Sequence, residues 1–185
     1  MNHLSQLGAA LEKAEAPRLR LIVAEMAGSF DVIALEENGD VAEAFPLPSA
    51  LQERIFSIAE TEQLSPTWMH ASFSMVVTPK QLPDDLQEGQ STHHFGEKLE
   101  VQLLGRSGLK YLAIFEAVHR QNENALNLLK DLQLSALELL KITQWLRTER
   151  ILENRHGDRL TESLPPSVIF LLQKKKPLLL RFFSI

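Results

Sequence analysis

The sequence predicts an α+β domain, with strands and helices in its first half and helices alone in its second. Two observations carry this. Apolar, partly β-branched runs at 19–26 and 30–35 and an alternating run at 97–105 all precede residue 106. From residue 107 onward, apolar residues recur at three- and four-residue intervals instead.

The elements follow in order. Residues 3–15 place Leu4, Leu7, Ala10 and Leu11 at helical spacing, and Pro17 closes that helix. "LRLIVAEM" (19–26) reads as a buried strand and "FDVIAL" (30–35) as a second one. "EENGD" (36–40) is a turn centred on Asn38-Gly39, the pair that tolerates positive φ. After a Pro-Ser start, Leu51, Ile55, Ile58 and Ala59 fall on one helical face. "SPTWMHAS" (65–72) is expected to be a short helix with Ser65 as cap and Pro66 first, and 78–92 mostly loop. "EKLEVQLLG" (97–105) alternates as a strand with Leu99, Val101 and Leu103 on one face. Helices are expected at 107–120, 122–134 and 135–150. Ser135 and Glu138 have the spacing of a capping box at the start of the last.

A chain of 185 residues is long enough for one domain with an appendage, and 44% hydrophobic content supplies a core. The boundary is expected near residue 150: a domain over 1–150 and a C-terminal extension over 151–185. In the extension, "VIFLLQKKKPLLLRFFSI" alternates apolar and basic blocks. It reads as a packing extension whose basic residues stay solvated, with a membrane-surface or partner-binding tail and a chain end without a selected role as alternatives.

Composition narrows the function. A net charge of -5 argues against nucleic-acid binding through a generally basic surface. No cysteine is present, which excludes disulfides, thiolate nucleophiles and cysteine-based zinc sites. The N-terminus lacks the apolar core of a signal peptide, and no apolar run approaches the roughly 20 residues of a membrane span. A soluble, cytoplasmic protein is expected.

Several stretches together resemble a bacterial family of nucleotidyltransferase-like proteins related to the toxins of abortive-infection toxin–antitoxin pairs. They are "RLIVA", "FDVIAL", "PLPSALQE", "LSPTWMHAS", "LEVQLLG" and "LKYLAIFEAVHRQNENALNLLKDLQLSALELLKITQWLRTE", in the family's order over about residues 18–150. The resemblance implies a nucleotidyltransferase-like small mixed sheet with a helical C-terminal half. It also implies a site with two acids at alternate positions of one strand and a third nearby, binding divalent cations that align a triphosphate. A Gly-Ser turn opening a helix would hold the phosphates.

Set against that pattern, Asp31 falls where the second strand acid belongs and Ser29 stands in place of the first. Gly28-Ser29 matches the phosphate-binding pair, but it abuts Asp31, and too few residues separate the two strands for a helix. Glu100, on "LEVQL", is the candidate third acid, with an exposed strand carboxylate as the plainer reading. Where the family carries a lysine this chain has Ala113. Where it carries an Arg-His pair this chain has Asn124 and Ala125, and a later acid falls at Asn127 or Leu128. The apolar skeleton Leu112, Ile114, Phe115, Val118, Leu126 and Leu129 is kept. Folding retained with chemistry lost is the expected pattern of an inactive relative.

Other constellations are weaker. His93 and His94 are adjacent, so on a strand they face opposite ways and cannot share a metal. Asp84-Asp85 read as a solvated turn, and Trp68 and Trp145 as core residues. Arg147, Arg150, Arg155 and Arg159 form a basic run diluted by Glu149, Glu153 and Asp158. Neither a P-loop nor a Ser–His–Asp spacing is present. The expectation is a catalytically inactive, nucleotidyltransferase-like binding or regulatory module, with a cognate protein partner and a toxin–antitoxin or defence setting. It needs no cofactor. The alternative is an active enzyme with a divergent site on Asp31 and Glu100, which would require Mg2+ and act on nucleotide or RNA.

Overall fold

The computed structural model describes residues 2–149 except 15, 27, 88, 120–124, 126, 127, 129 and 130. These form an α+β fold whose described residues fall into two compact units, one ending at Leu109 and one beginning at Lys110. That boundary lies inside the stretch expected to be a single domain. The extension over 151–185 lies outside the described residues, as do Asn124, Leu126, Asn127, Leu129, Arg150, Arg155 and Arg159, and most of the helix expected at 122–134.

In the first unit, helix α1 (Asn2–Lys13) leads into strands β1 (Leu19–Met26), β2 (Ser29–Glu37) and β3 (Asp40–Ala42). Helix α2 (Ser49–Glu62) follows, then the short β4 (Met69–His70), β5 (Ser91–Phe95) and β6 (Leu99–Leu103). The strands build one mixed sheet in the order β3-β2-β1-β6-β5, with β4 added beside β2. β1 runs antiparallel to β2 and parallel to β6. The β2–β3 turn uses positive φ at Asn38 and Gly39, as that dipeptide predicts.

One face of the sheet carries the main core. Leu4, Leu7 and Leu11 of α1 and Leu51, Ile55 and Ile58 of α2 are buried in one cluster with Leu21, Val23, Phe30, Val32, Leu35, Leu99 and Val101. Gly8 completes the buried stripe of α1, so the stripe runs 4, 7, 8, 11 at helical spacing. The Trp68 indole N–H donates to the Ile55 carbonyl at 3.0 Å, and its ring meets Phe30 edge-on. Trp68 is therefore a core anchor.

A bulge in β2 decides which residues face this core. Ile22 pairs with Ala34 but Val23 with Val32, so Ile33 is an extra residue. Beyond it, Phe30 and Val32 take the core face and Asp31 turns to the other. There a 3-10 turn at Phe73–Met75 packs on β2, with the Ser74 hydroxyl donating to the carbonyl oxygens of Val32 (2.8 Å) and Ile33 (3.0 Å).

Two expectations are corrected. Residues 65–72 do not form a helix: Trp68 N–H closes a turn on the Ser65 carbonyl, and Met69–His70 become β4 because their register continues β2 at Phe30 and Asp31. The 78–92 segment is not mostly loop. It holds 3-10 turns at Pro79–Gln81 and Asp84–Gln87, and β5 begins at Ser91. No helix among the described residues is long and apolar enough to cross a membrane.

Helix α3 (Arg106–His119) begins at the end of the first unit, and α4 (Ala136–Thr148) lies in the second. The capping box expected at Ser135 is made: Ser135 N–H donates to Glu138 Oε2 at 2.8 Å, and Glu138 N–H donates to Ser135 Oγ at 3.2 Å. The Lys110 ammonium also donates to Glu138, and Tyr111 meets Trp145 edge-on at 5.2 Å between ring centroids. Ala113, where the resembling family carries a lysine, is fully buried in α3.

The cap has a pH signature. Burial raises the Glu138 carboxyl, but hydrogen bonds from Lys110 and Ser135 outweigh it and hold the group at about 2, below its ordinary 4.5. A depressed native value adds stability above the unfolded value, and that stability is lost as pH falls through the native one. Stability should therefore drop between pH 4.5 and about 2. With the Glu138 side chain 40% exposed, solvent screening keeps the effect small. Urea midpoints across this range should fall less steeply in Lys110→Met than in wild type; equal slopes would assign the drop to other groups.

Candidate functional site

The residues singled out from sequence fall into three places. Gly28 and Ser29 form the β1–β2 turn: Met26 pairs with Ser29, Gly28 has φ +81°, and the Ser29 hydroxyl donates back to the Met26 carbonyl at 2.9 Å. A strand follows this turn, so no row of free helix N–H groups is offered to a phosphate. The Gly-Ser pair here is hairpin chemistry.

Asp31 is only 2% exposed. Its Oδ2 accepts the Ser72 hydroxyl at 2.9 Å and the Phe73 N–H at 3.1 Å, while Oδ1 lies 3.4 Å from His70 Nδ1. The same serine hydroxyl is 2.9 Å from His70 Nδ1. The fold thus gathers a serine, a histidine and an aspartate that no sequence spacing announced. It does not make a nucleophilic triad, which needs carboxylate and hydroxyl on opposite ring nitrogens. Here both address Nδ1. The carboxylate fastens the 70–73 segment to the sheet.

Glu100 sits elsewhere, in a row of side chains across four strands. Arg20 on β1 pairs in register with Glu36 on β2 and with Glu100 on β6, and Glu100 pairs with His94 on β5. Arg20 donates through Nε to Glu100 Oε1 at 2.7 Å and through Nη1 to Glu36 Oε2 at 2.8 Å. Gln102 donates to the same Glu100 oxygen at 3.0 Å. Glu100 Oε2 has longer neighbours, Arg18 Nη2 at 3.7 Å and His94 Nδ1 at 3.8 Å. The Glu100 side chain is 8% exposed, so the exposed-carboxylate reading is corrected: three strands' worth of partners bury it. Open depressions of about 360 and 430 Å3 flank Arg18, one towards Asn38 and Gly39, the other towards His94 and Gly96.

The two candidate acids do not converge. Their register partners on β1, Ala24 and Arg20, are four positions apart, and the acids lie on opposite sides of that strand. At about 3.3 Å per residue and 4.8 Å per strand spacing, their Cα atoms are on the order of 16 Å apart. Magnesium holds its oxygens at about 2.1 Å, and paired ions lie about 4 Å apart. Asp31 and Glu100 do not fit a shared magnesium site, and no cluster of three or more metal-ligating side chains occurs among the described residues. His93 and His94 are on β5, where His93 reaches Ser91 and Phe95 while His94 faces Glu100.

Sequence reading missed Arg18, Arg20, Glu36, His70 and Ser72. A signal existed for one of them: Arg20 interrupts the apolar run "LRLIV", and a charge at a sheet-facing position asks for partners on both neighbouring strands. Compared with protein-family models, curated proteins and solved structures, the chain matches none.

Proposed function

We propose that this chain is a binding or regulatory module on a nucleotidyltransferase-like scaffold, without catalysis of its own. The observation that carries the reading is the commitment of Asp31, whose buried carboxylate accepts the Ser72 hydroxyl and the Phe73 N–H. A catalytic acid must be open to its metal and substrate; this one is occupied by its own chain. A protein partner is supported by the two edges of the sheet. Neither β3 nor β5 has a strand beyond it among the described residues, and Val41 and Phe45 are exposed at and just after β3. A cytoplasmic toxin–antitoxin or defence setting rests on the sequence resemblance alone.

The rival is a metal-dependent nucleotidyltransferase using Asp31 and Glu100. Calorimetric titration of the full chain with each nucleoside triphosphate plus Mg2+ separates the two. The expected result is no saturable heat at micromolar ligand. Micromolar binding, together with transfer of labelled nucleotide to an RNA or protein acceptor, would establish the rival.

A further inference from the structure

The row Glu36–Arg20–Glu100–His94 is saturated at one end and open at the other. Arg20 and Glu100 Oε1 have close hydrogen bonds. Glu100 Oε2 does not: the Arg18 guanidinium at 3.7 Å and the His94 ring at 3.8 Å are beyond hydrogen-bond distance. Both are well exposed, at 63% and 64%, and both line the one depression into which this carboxylate opens. A nearly buried acceptor therefore stands beside two solvent-facing donors, with a gap that one small ligand can address from both sides.

Charge decides what kind of ligand fits. Arg18, Arg20, Glu36 and Glu100 sum to zero, and Glu97, which lines the depression beside His94, adds one negative charge. A phosphate dianion would place its charge against Glu100, and a simple cation would meet Arg18. A neutral polyol would compete poorly with water, because no Phe, Tyr or Trp lines either depression. A molecule with adjacent positive and negative groups satisfies both sides through charge-assisted hydrogen bonds. We propose that the Arg18–Glu100–His94 end of this row binds the zwitterionic head of a free α-amino acid. The ammonium donates to Glu100 Oε2, the carboxylate accepts from Arg18 and His94, and the side chain lies in one of the depressions. This rests on the non-catalytic reading only in making Glu100 a ligand-binding group rather than a metal ligand.

The test is a proton NMR titration of the full chain with L-alanine, following the His94 ring signals assigned with His94→Gln. Saturable shifts at millimolar L-alanine are expected, with N-acetyl-L-alanine and L-alaninamide at least about tenfold weaker because each lacks one charge. Arg18→Met should abolish the shifts while keeping the thermal midpoint within about one degree, since Arg18 is exposed. No saturable shift up to about 50 mM L-alanine would overturn the proposal. So would equal shifts from acetate or from the acetylated analogue. Neither result would touch the non-catalytic reading, which the triphosphate titration tests separately.

Discussion

Replacing Asp31 with alanine is expected to destabilise the fold by about 3 kcal/mol or more. The change removes a buried carboxylate that accepts the Ser72 hydroxyl and the Phe73 N–H. Hydrogen bonds to a charged group contribute about 1.5–3 kcal/mol each, and a buried N–H left without an acceptor costs about 1–3 kcal/mol. The losses overlap, so their sum is an upper bound. Simple truncation of an exposed strand acid would be nearly neutral, and two ordinary hydrogen bonds would give about 2 kcal/mol. Asp31→Asn keeps one acceptor oxygen and should lose roughly half as much. Urea unfolding of the three proteins checks the order: wild type, then asparagine, then alanine.

Gly8→Ala is the second large effect, and its sign runs against helix propensity. Alanine in a helix interior is favoured over glycine by about 1 kcal/mol. At this position, however, a Cβ would lie 2.3 Å from the Phe95 carbonyl oxygen and 2.7 Å from the Phe95 Cβ. The first of these is backbone of β5 and cannot swing aside. Overpacking of this kind costs about 1–3 kcal/mol and occasionally more. The clash wins, and net destabilisation of up to about 2 kcal/mol is expected. Ala9→Gly, at an exposed position of the same helix, should also destabilise, by about 1 kcal/mol. If Gly8→Ala instead raises stability, α1 does not approach β5 as closely as described.

The sequence was most legible where local chemistry is sufficient. The strand at 19–26, the Asn38-Gly39 turn, the face of α2 and the Ser135–Glu138 cap each depend on neighbours within a few residues, and each is found. What escaped depends on distant pairing. Asp31 is held by residues 41 and 42 positions away, so its burial and partners leave no local trace. β2 is buried on both faces and bulged, so alternation could not say which way Asp31 points. A proline start at Pro66 suggested a helix at 65–72, but β-pairing with Phe30 and Asp31 overrode it. Glu100 looked like an exposed acid because its closest partner, Arg20, comes from another strand, 80 positions away. The Gly28-Ser29 pair shows the converse. A motif that fits a phosphate turn in composition becomes a hairpin when a strand, not a helix, follows it.

Thermal unfolding with and without ligand distinguishes a structural carboxylate at Asp31 from a metal ligand. An acid kept for metal binding is commonly a burden on the unliganded fold, so its removal raises unliganded stability and abolishes the gain given by the metal and nucleotide. An acid kept for the fold does the reverse. Wild type and Asp31→Ala are each melted alone and with millimolar Mg2+ plus a nucleoside triphosphate. A midpoint lowered by roughly 6–12 °C in Asp31→Ala and unmoved by ligand in either protein is expected. A wild-type midpoint that rises with ligand, and an Asp31→Ala protein at least as stable alone but unresponsive to it, would contradict the account.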